Sequence, residues 1–557
     1  MEFGVVRPLA NRMQGVLEQG VIAMSLAEAV NDQGASARAR YEKLEDRVLA
    51  RDQVGASECY YDLVRDGRPL PEMLREAVRI HGPYTHVPYH ERIDNGFVNF
   101  VNNDHCLLSA RATLHLSKWL PAEMAGLPMA QTIWYIPTGL DIWNQKINRA
   151  PGHYARGMAP QNSAPPKPVV HWPDQEPERL DGPLRDRLDQ WMTLVHRGRV
   201  LEAYRVFLGL MQNKPERKAV LAELVFAGLI DLQDRAFLNR SYTTGHKSYR
   251  ARATVELGTA IGWDDAHAVL YAGALDIAVG PRWYSTYEMA CNCVTHYLEQ
   301  QKISAIPYAG ATAGELALLA NSEALTATEA EAFLEVVLRQ HEPAYLEQLS
   351  RLLLAGKGPR QILDVLQIGA AQVLLETQDN LNFSMSQHCY EYCNTLGWFY
   401  DSFEHPQRLK LLYSAASFLN RNAWHQKNIG DGRTSVAELP AGAERMSERQ
   451  LLERTLAAIV ALDGPQAVAW ARAYLADGGD RQTLVQQLAL TACRLGNDPH
   501  NQEIAQCLLE DYAKNRGFDR DRLLLACVQH TAVHRKYGDF LECGRRYGRA
   551  MGVAALV

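Results

Sequence analysis

The sequence contains little of what marks a membrane-embedded, secreted or nucleic-acid-binding protein. No apolar run approaches the roughly 20 residues that a helix needs to cross a bilayer. The first residues, Met1 to Pro8, do not combine a basic region with an apolar one, which a secretory signal would require. Basic and acidic residues number 58 and 64, and no stripe of Lys and Arg interleaved with aromatics is visible, so nucleic acid is not an expected partner. We therefore expect a cytoplasmic protein with no membrane partner.

Several catalytic and structural motifs are also missing. The ten cysteines include no CxxC pair, which argues against a zinc knuckle and favours reduced, buried thiols over disulfides. No GxGxxG follows a strand pattern and no Walker sequence occurs, so a nicotinamide, flavin or nucleotide domain is not expected. A GxSxG nucleophile elbow is absent as well, which argues against a serine hydrolase.

Helical periodicity is what the sequence contains in place of these signals. Apolar residues recur at i, i+3, i+4 and i+7, as in residues 451–460, and strand signals are scarce. Capping boxes at Thr328 to Glu331 and at Ser447 to Gln450 predict two helix starts. The pattern predicts an all-α fold.

The sequence also predicts how the chain is divided into segments. Residues 1–75 are expected to form a helical extension ahead of a main body over residues 76–557. Two long irregular segments interrupt that body: residues 151–186, rich in proline, and residues 427–445, rich in Gly and Ala. Ordered segments of this length are either functional lids or linkers.

Self-comparison finds a long-period repeat. Residues 105–114, which begin at a histidine, match residues 246–255, which begin at another, and a more diverged copy begins at His388. The interval from the first histidine to the second is almost identical to the interval from the second to the third, and one further interval of this length reaches His530. We interpret each copy as a helix pair, with the histidine at or near the start of its first helix. About four quasi-equivalent helix-pair units would then pack around a central site.

Such units would point equivalent side chains at one place, as the helices of metal-binding bundles do. Neutral imidazoles suit iron, copper and zinc, whereas calcium and magnesium prefer oxygen ligands. The alternative is that each histidine is a helix cap or a satisfied core residue in its own surroundings. The sequence leaves both interpretations open.

Three segments carry a resemblance to a known family. They are residues 96–99 (GFVN) followed by residues 105–108 (HCLL), residues 245–257 (GHKSYRARATVEL), and residues 383–388 (FSMSQH). The first resembles the N-terminal histidine motif of questin oxidase-like proteins, the second their central motif, and the third a later motif in which an aromatic residue and Met precede a His. The resemblance lies almost wholly in these motifs.

The resemblance implies an all-α oxygenase domain over residues 76–557 that opens or oxidises a ring of an anthraquinone-type polyketide without haem or flavin. In the iron-dependent branch of the family, four histidines and a carboxylated lysine hold one iron. The corresponding ligands here would be His105, His246, His388 and His530. The family often has a second histidine where this chain has Arg250.

The C-terminal motif is the second departure from the family. Its usual pattern is His-x-x-Lys, and this chain has Val533 three residues after His530. Lys536 and His534 are the nearest substitutes. His534 lies one helical turn from His530 on the same face, so it could be the ligand instead or as well.

The leading hypothesis is therefore a mononuclear non-haem iron oxygenase that takes dioxygen and a small aromatic or polycyclic substrate. Polar aromatic and basic residues near the histidines are candidates for substrate binding. They are Tyr249, Arg250, Trp283, Tyr284 and Tyr287. The alternative is a non-catalytic helical-repeat scaffold that binds a protein partner. Haem is disfavoured because no CxxCH motif is evident. The composition is compatible with a homodimer.

Overall fold

The computed structural model describes residues 33–85, 93–94, 97–98, 105–140, 175–232, 245–263, 277, 285–298, 311–378, 383–429, 445–496, 498–535 and 539–557. These residues are overwhelmingly helical, which confirms the all-α prediction. Their β-structure consists of one isolated bridge, between Glu323 and Lys357, and one two-stranded antiparallel pair, β1 (Ile93–Asp94) with β2 (Phe97–Val98).

The helices, numbered along the chain, are α1 (Gln33–Leu49), α2 (Gln53–Arg65), α3 (Leu70–Thr85), α4 (His105–Leu116), α5 (Leu127–Leu140), α6 (Leu184–His196), α7 (Val200–Met211), α8 (Arg217–Ile230), α9 (His246–Ile261), α10 (Ser285–Tyr297), α11 (Ala313–Leu319), α12 (Ala327–Arg339), α13 (Ala344–Leu354), α14 (Pro359–Leu375), α15 (Phe383–Ser402), α16 (Arg408–Ile429), α17 (Glu448–Val460), α18 (Gly464–Ala476), α19 (Arg481–Arg494), α20 (His500–Lys514), α21 (Asp521–Val533) and α22 (Glu542–Met551). Short 3₁₀ turns lie at Ala122–Met124, Lys214–Glu216 and Ala554–Leu556.

The helix starts follow the local chemistry that the sequence signals. Ser447 caps α17 and forms the predicted capping box with Gln450, which confirms that prediction. The other box was predicted two residues too late. The capping residues of α12 are Thr326 and Glu329, because Thr326 takes the extended conformation that lets its hydroxyl accept from the Glu329 amide.

Four helices form a ring at the centre of the protein: α4 contacts α9, α9 contacts α15, α15 contacts α20, and α20 contacts α4. Contacts at two levels show that they run in the same direction. Imidazoles near their N-terminal ends lie beside one another around the ring. Six to ten residues further along, Arg252 of α9 donates to Asn394 of α15 and to Glu510 of α20, and Arg111 of α4 contacts Cys507 of α20. We call α4, α9, α15 and α20 the inner helices.

Other helices cover the inner ones. Helix α5 packs on α4, α8 on α9, α14 and α16 on α15, and α21 on α20. In three cases the covering helix directly follows its inner helix in the chain, as the interpretation in helix pairs predicts. The segment that follows α9, residues 264–276, lies outside the described residues.

The described part of the N-terminal segment is helical and shares the main core. The Tyr60 hydroxyl of α2 donates to the carbonyl of Gly126, just before α5, and the Tyr61 ring packs edge-on against Tyr547 of α22. Of the two long loops, residues 175–183 are irregular and α6 begins at 184, while α16 continues to 429. The rest of both segments, apart from the turn at residue 445, lies outside the described residues. Among the helices described, none is long and apolar enough to cross a membrane.

Candidate metal centre

Four histidines close a ring at the N-terminal end of the inner helices. The centroids of neighbouring imidazoles lie 5.4 Å apart for His105 and His246, and 4.6 Å for His246 and His388. The remaining two distances are 5.5 Å for His388 and His500, and 4.3 Å for His500 and His105. All four side chains are buried. Each inner helix therefore contributes one imidazole to a single cluster.

The fourth position of this ring is His500, not His530. His530 is in α21, a covering helix, and its imidazole stacks on that of His534 at 4.9 Å. His534 in turn lies 5.8 Å from His500. The regular interval ends after His388 because the chain reaches its fourth inner helix well before the next full interval is complete. The coincidence of His530 with the extrapolated interval does not reflect an equivalent position.

Carboxylates set the orientation of two of the four rings. His105 Nδ1 lies 3.2 Å from Glu503 Oε2, and His500 Nδ1 lies 2.6 Å from Asp498 Oδ1. Burial raises the pKa of Glu503, and the contact with His105 opposes that rise. An ionised carboxylate accepts only, so in the ionised state of both acids each Nδ1 carries the proton and Nε2 is left as the lone-pair nitrogen. Carboxylate–histidine pairs of this kind fix the tautomer of metal-binding histidines.

The other two rings already face each other through Nε2. The distance between His246 Nε2 and His388 Nε2 is 2.8 Å. Two adjacent ligands of one ion, each with a bond of about 2.1 Å, lie about 3.0 Å apart when they meet at a right angle. The distance suits either one shared proton or two neighbouring ligands of a single ion.

His246 is kept neutral, as a metal ligand must be. Burial holds the pKa of His246 well below its usual range, and the nearby imidazoles of His388 and His105 lower it further. A neutral imidazole presents a lone pair without first releasing a proton. Imidazole nitrogens in a buried position fit iron, zinc or copper.

Among the described residues, two groups of three bring their possible ligand atoms within 4.8 Å of one another, and each contains a carboxylate. They are His105, His500 and Glu503, and Asp498, His500 and His534. No three of the ring histidines meet this distance, so the ring can hold one ion only after its imidazoles move closer together. In the second group the 2.6 Å between His500 and Asp498 is too short for two ligands of one ion, since it would require an angle of roughly 75°. We therefore interpret the Asp498 contact as a hydrogen bond.

A buried layer of charge lies beneath the ring. Six residues along each inner helix from its ring histidine are Arg111, Arg252, Asn394 and Gln506, and ten residues along are His115, Glu256, Trp398 and Glu510. Arg252 Nη2 lies 2.6 Å from Glu510, and Arg111 contacts Cys507 Sγ at 3.4 Å. Polar contacts between the inner helices therefore continue below the ring.

Asp511, which lies in the same layer, should make the free energy of unfolding depend on pH. Burial and the neighbouring Glu510 raise the pKa of Asp511 to about 7, even though Tyr390 and Asn394 donate to it. The folded protein thus keeps a proton that the unfolded chain releases near pH 4, so the contribution of this group to stability falls as the pH rises from about 4 to about 7. We expect Asp511→Asn to remove that loss. Between pH 5 and 8 the free energy of unfolding should shift in favour of the variant by about 2–3 kcal/mol.

Urea denaturation of Asp511→Asn and the wild type at pH 5 and pH 8 checks this expectation. The difference between the two proteins is compared across pH, so a constant cost of the substitution cancels. A difference that is the same at both pH values would contradict a raised pKa at Asp511.

A small enclosed cavity borders the centre. It has a volume of about 10 Å³ and is lined by Ser109, Gln131, Trp134, Tyr135, Gly496, Asp498, Pro499 and Gln502. Such a space holds about one water, far less than the several hundred Å³ of a pocket for an aromatic substrate. Gln502 Oε1 is buried and has no hydrogen-bond partner in the part of the chain that the structure describes. The cavity therefore suits a single molecule the size of water.

The predicted substrate-binding residues lie in different places. Tyr249 and Arg250 are buried in the first turns of α9, and the Tyr249 hydroxyl donates to the carbonyl of His388. Tyr287 is buried in α10, edge-on against Phe226 of α8 and outside the inner helices. Trp283, Tyr284 and the predicted ligand Lys536 lie outside the described residues.

Sequence reasoning missed His500, Glu503 and Asp498. One signal was present: His-x-x-Glu, which places both side chains on one helical face, occurs at His388 to Glu391 and again at His500 to Glu503. A further copy begins at His296, so the motif alone does not single out the correct pair.

Comparison of the chain with protein-family models, with curated proteins and with solved structures finds no match. The questin oxidase-like resemblance therefore stays a prediction from the motifs, and any functional assignment rests on the geometry of the centre.

Proposed function

We propose that the chain binds one non-haem iron ion at the ring of His105, His246, His388 and His500, and that it is an oxygenase for an aromatic or polycyclic substrate. The observation that carries the proposal is the ring itself, with one buried imidazole from each of four parallel helices. Four helices from distant parts of the chain bring the same side-chain type to one point. Separate structural roles for these histidines would not require that convergence.

Residues around the ring support a metal site. The Glu503 and Asp498 carboxylates hold two Nδ1 protons, so that Nε2 of His105 and His500 is available for an ion. When bound, an iron ion with four imidazole ligands would supply an open coordination position for dioxygen. The chain's own part is to fix the ligand geometry and to keep the centre away from bulk water.

The proposal of an aromatic or polycyclic substrate rests on the motif resemblance and not on an observed pocket. The 10 Å³ cavity beside Asp498 and Tyr135 has room for one water but not for an aromatic ring. The runner-up, a scaffold that binds a protein partner, predicts histidines in separate surroundings. The meeting of His105, His246 and His388 at one point favours the metal site over that alternative.

Oxygen consumption tests the proposal. Protein loaded anaerobically with one equivalent of Fe²⁺ is mixed with air-saturated buffer and a panel of hydroxylated anthraquinones and related phenols. We expect at least one substrate to raise oxygen uptake tenfold or more over the His246→Ala variant treated in the same way.

Two outcomes would contradict the proposal at different levels. Full iron loading without substrate-dependent uptake for any compound would overturn the oxygenase and leave the metal site. A preference for zinc, with Fe²⁺ not retained, would overturn the iron assignment.

A further inference from the structure

One carboxylate oxygen lies at the point where the start of α20 meets the end of α21. Asp498 Oδ1 accepts from the backbone amide of His500 at 3.0 Å and lies 2.6 Å from His500 Nδ1. The same oxygen lies 3.3 Å from Nε2 of His534. A single acceptor thus ties the first residue of α20 and its imidazole to a second imidazole from another helix.

The neighbouring Asn501 closes the same connection through the backbone. Its amide nitrogen donates to the carbonyl of His534 at 2.8 Å, and its amide oxygen accepts from the backbone amide of Asp498 at 3.2 Å. The two helix ends are therefore joined twice, once by the His534 side chain and once by its main chain. All three residues are buried.

The end of α21 is shaped so that His534 reaches this place. The helix ends at Val533, and His534 takes an extended conformation with φ −72° and ψ 110°. The Arg535 guanidinium donates to the carbonyls of Thr531 and His534, as basic side chains commonly do at helix ends. The His534 imidazole leaves the helical path and lies against Asp498.

We propose that His534 is a positioning residue of the metal centre: its hydrogen bond holds Asp498, and Asp498 holds the His500 imidazole with Nε2 towards the ring. This inference rests on the proposed metal site but on no particular metal or reaction. His534 is not placed as a fifth ligand, because its Nε2 is directed at Asp498 and its ring lies 5.8 Å from His500, on the far side of that carboxylate.

The expected loss of metal affinity follows from the effect that hydrogen-bond partners have on metal-binding side chains in other proteins. Loss of a hydrogen bond that orients a ligand weakens metal affinity by about 10- to 100-fold in known metal sites. Loss of His534 would remove one of the contacts that hold the Asp498 carboxylate, which would then rotate more easily about its side-chain bonds. The His500 ring would then sample orientations in which Nε2 no longer faces the ion.

The test uses Co²⁺ alone as the probe, in the full-length protein. Dissociation constants come from competition with a chelator, and the visible absorption of the bound ion reports its ligand geometry. His534→Leu should bind Co²⁺ about 10- to 100-fold more weakly with an altered spectrum, and His534→Gln, which keeps a donor, should recover most of the affinity. His530→Leu is the matched control, since it removes an equally buried imidazole that stacks on His534.

The outcomes separate this inference from the proposed function. Equal affinity and spectrum for the wild type and His534→Leu, or an equal loss in His530→Leu, would overturn the positioning role and leave the metal site intact. Failure of the wild type to bind Co²⁺ would overturn the metal site. In that case crystal structures of metal-free wild type and His534→Leu decide the positioning claim, which predicts a rotated His500 ring only in the variant.

Discussion

His246→Ala is expected to abolish stable metal binding. The Nε2 of His246 is 2.8 Å from that of His388, its ring also neighbours His105, and the side chain is 2% exposed. The residue starts α9, so its position is fixed by the helix and no other donor on α9 can move into its place. Loss of a residue that only hydrogen-bonds to a ligand weakens metal affinity by about 10- to 100-fold. Removal of a direct ligand should therefore weaken metal affinity by more than about 100-fold.

The measurement is metal content after passage over a chelating resin. We expect close to one equivalent in the wild type and less than about a tenth of an equivalent in His246→Ala, a loss of the size that a more than 100-fold weaker affinity implies. His405→Ala is the matched control, because it makes the same chemical change at a buried histidine outside the ring, one that contacts Glu223. Retention of metal by His246→Ala, or its loss from His405→Ala, would contradict the ring as the binding site.

The second large effect is on stability. Arg252→Met should lower the free energy of unfolding by about 3–5 kcal/mol, because it leaves the buried Glu510 and the largely buried Glu256 without their main counter-charge. Arg252 contacts Glu510 at 2.6 Å and Glu256 at 3.3 Å. Although burial alone raises the pKa of Glu256, Arg252 and His115 hold it well below its usual range. Both carboxylates are therefore charged in the folded protein.

Urea denaturation of Arg252→Met and Lys514→Met provides the comparison. Lys514 also contacts Glu510, at 2.8 Å, but its side chain is 40% exposed. A solvent-exposed ion pair contributes about 0–1 kcal/mol, so Lys514→Met should be nearly neutral. Similar losses of unfolding free energy in the two variants would contradict the role of Arg252 as the main counter-charge of Glu510 and Glu256.

The sequence was most informative where local chemistry decides structure. Ser447 and Gln450 predicted the start of α17 correctly, and the match between residues 105–114 and 246–255 identified two inner helices. The third histidine, His388, was also found by the repeat. These positions can be recognised from short patterns in the sequence, without knowledge of the packing.

The fourth histidine was missed because the repeat interval depends on the connecting segments. Only the inner helices must superpose in space, and the segments between them differ in length, so His500 follows His388 at a shorter interval than the earlier copies show. Its surroundings added to the error. The run from His500 to Tyr512 is polar enough to indicate an exposed helix, yet all of it is buried. Its polar side chains contact the other inner helices, as Gln502 does with Ser109 and Glu510 with Arg252.

The carboxylates were missed for a related reason. Asp498 precedes α20 and resembles an ordinary helix cap, and it does accept from the His500 amide. Its contacts with the imidazoles of His500 and His534 join parts of the chain that only the tertiary fold brings together. No local pattern predicts a hydrogen bond between the start of α20 and the end of α21.

The central claim is that His105, His246, His388 and His500 together hold one metal ion. A crystal structure of the metal-loaded protein, with anomalous diffraction measured at the absorption edge of the bound metal, tests it most directly. We expect one anomalous peak within about 2.3 Å of an Nε2 atom from each of the four histidines. A peak elsewhere, for example between His530 and His534, or a fully loaded protein without a peak in the ring, would contradict it.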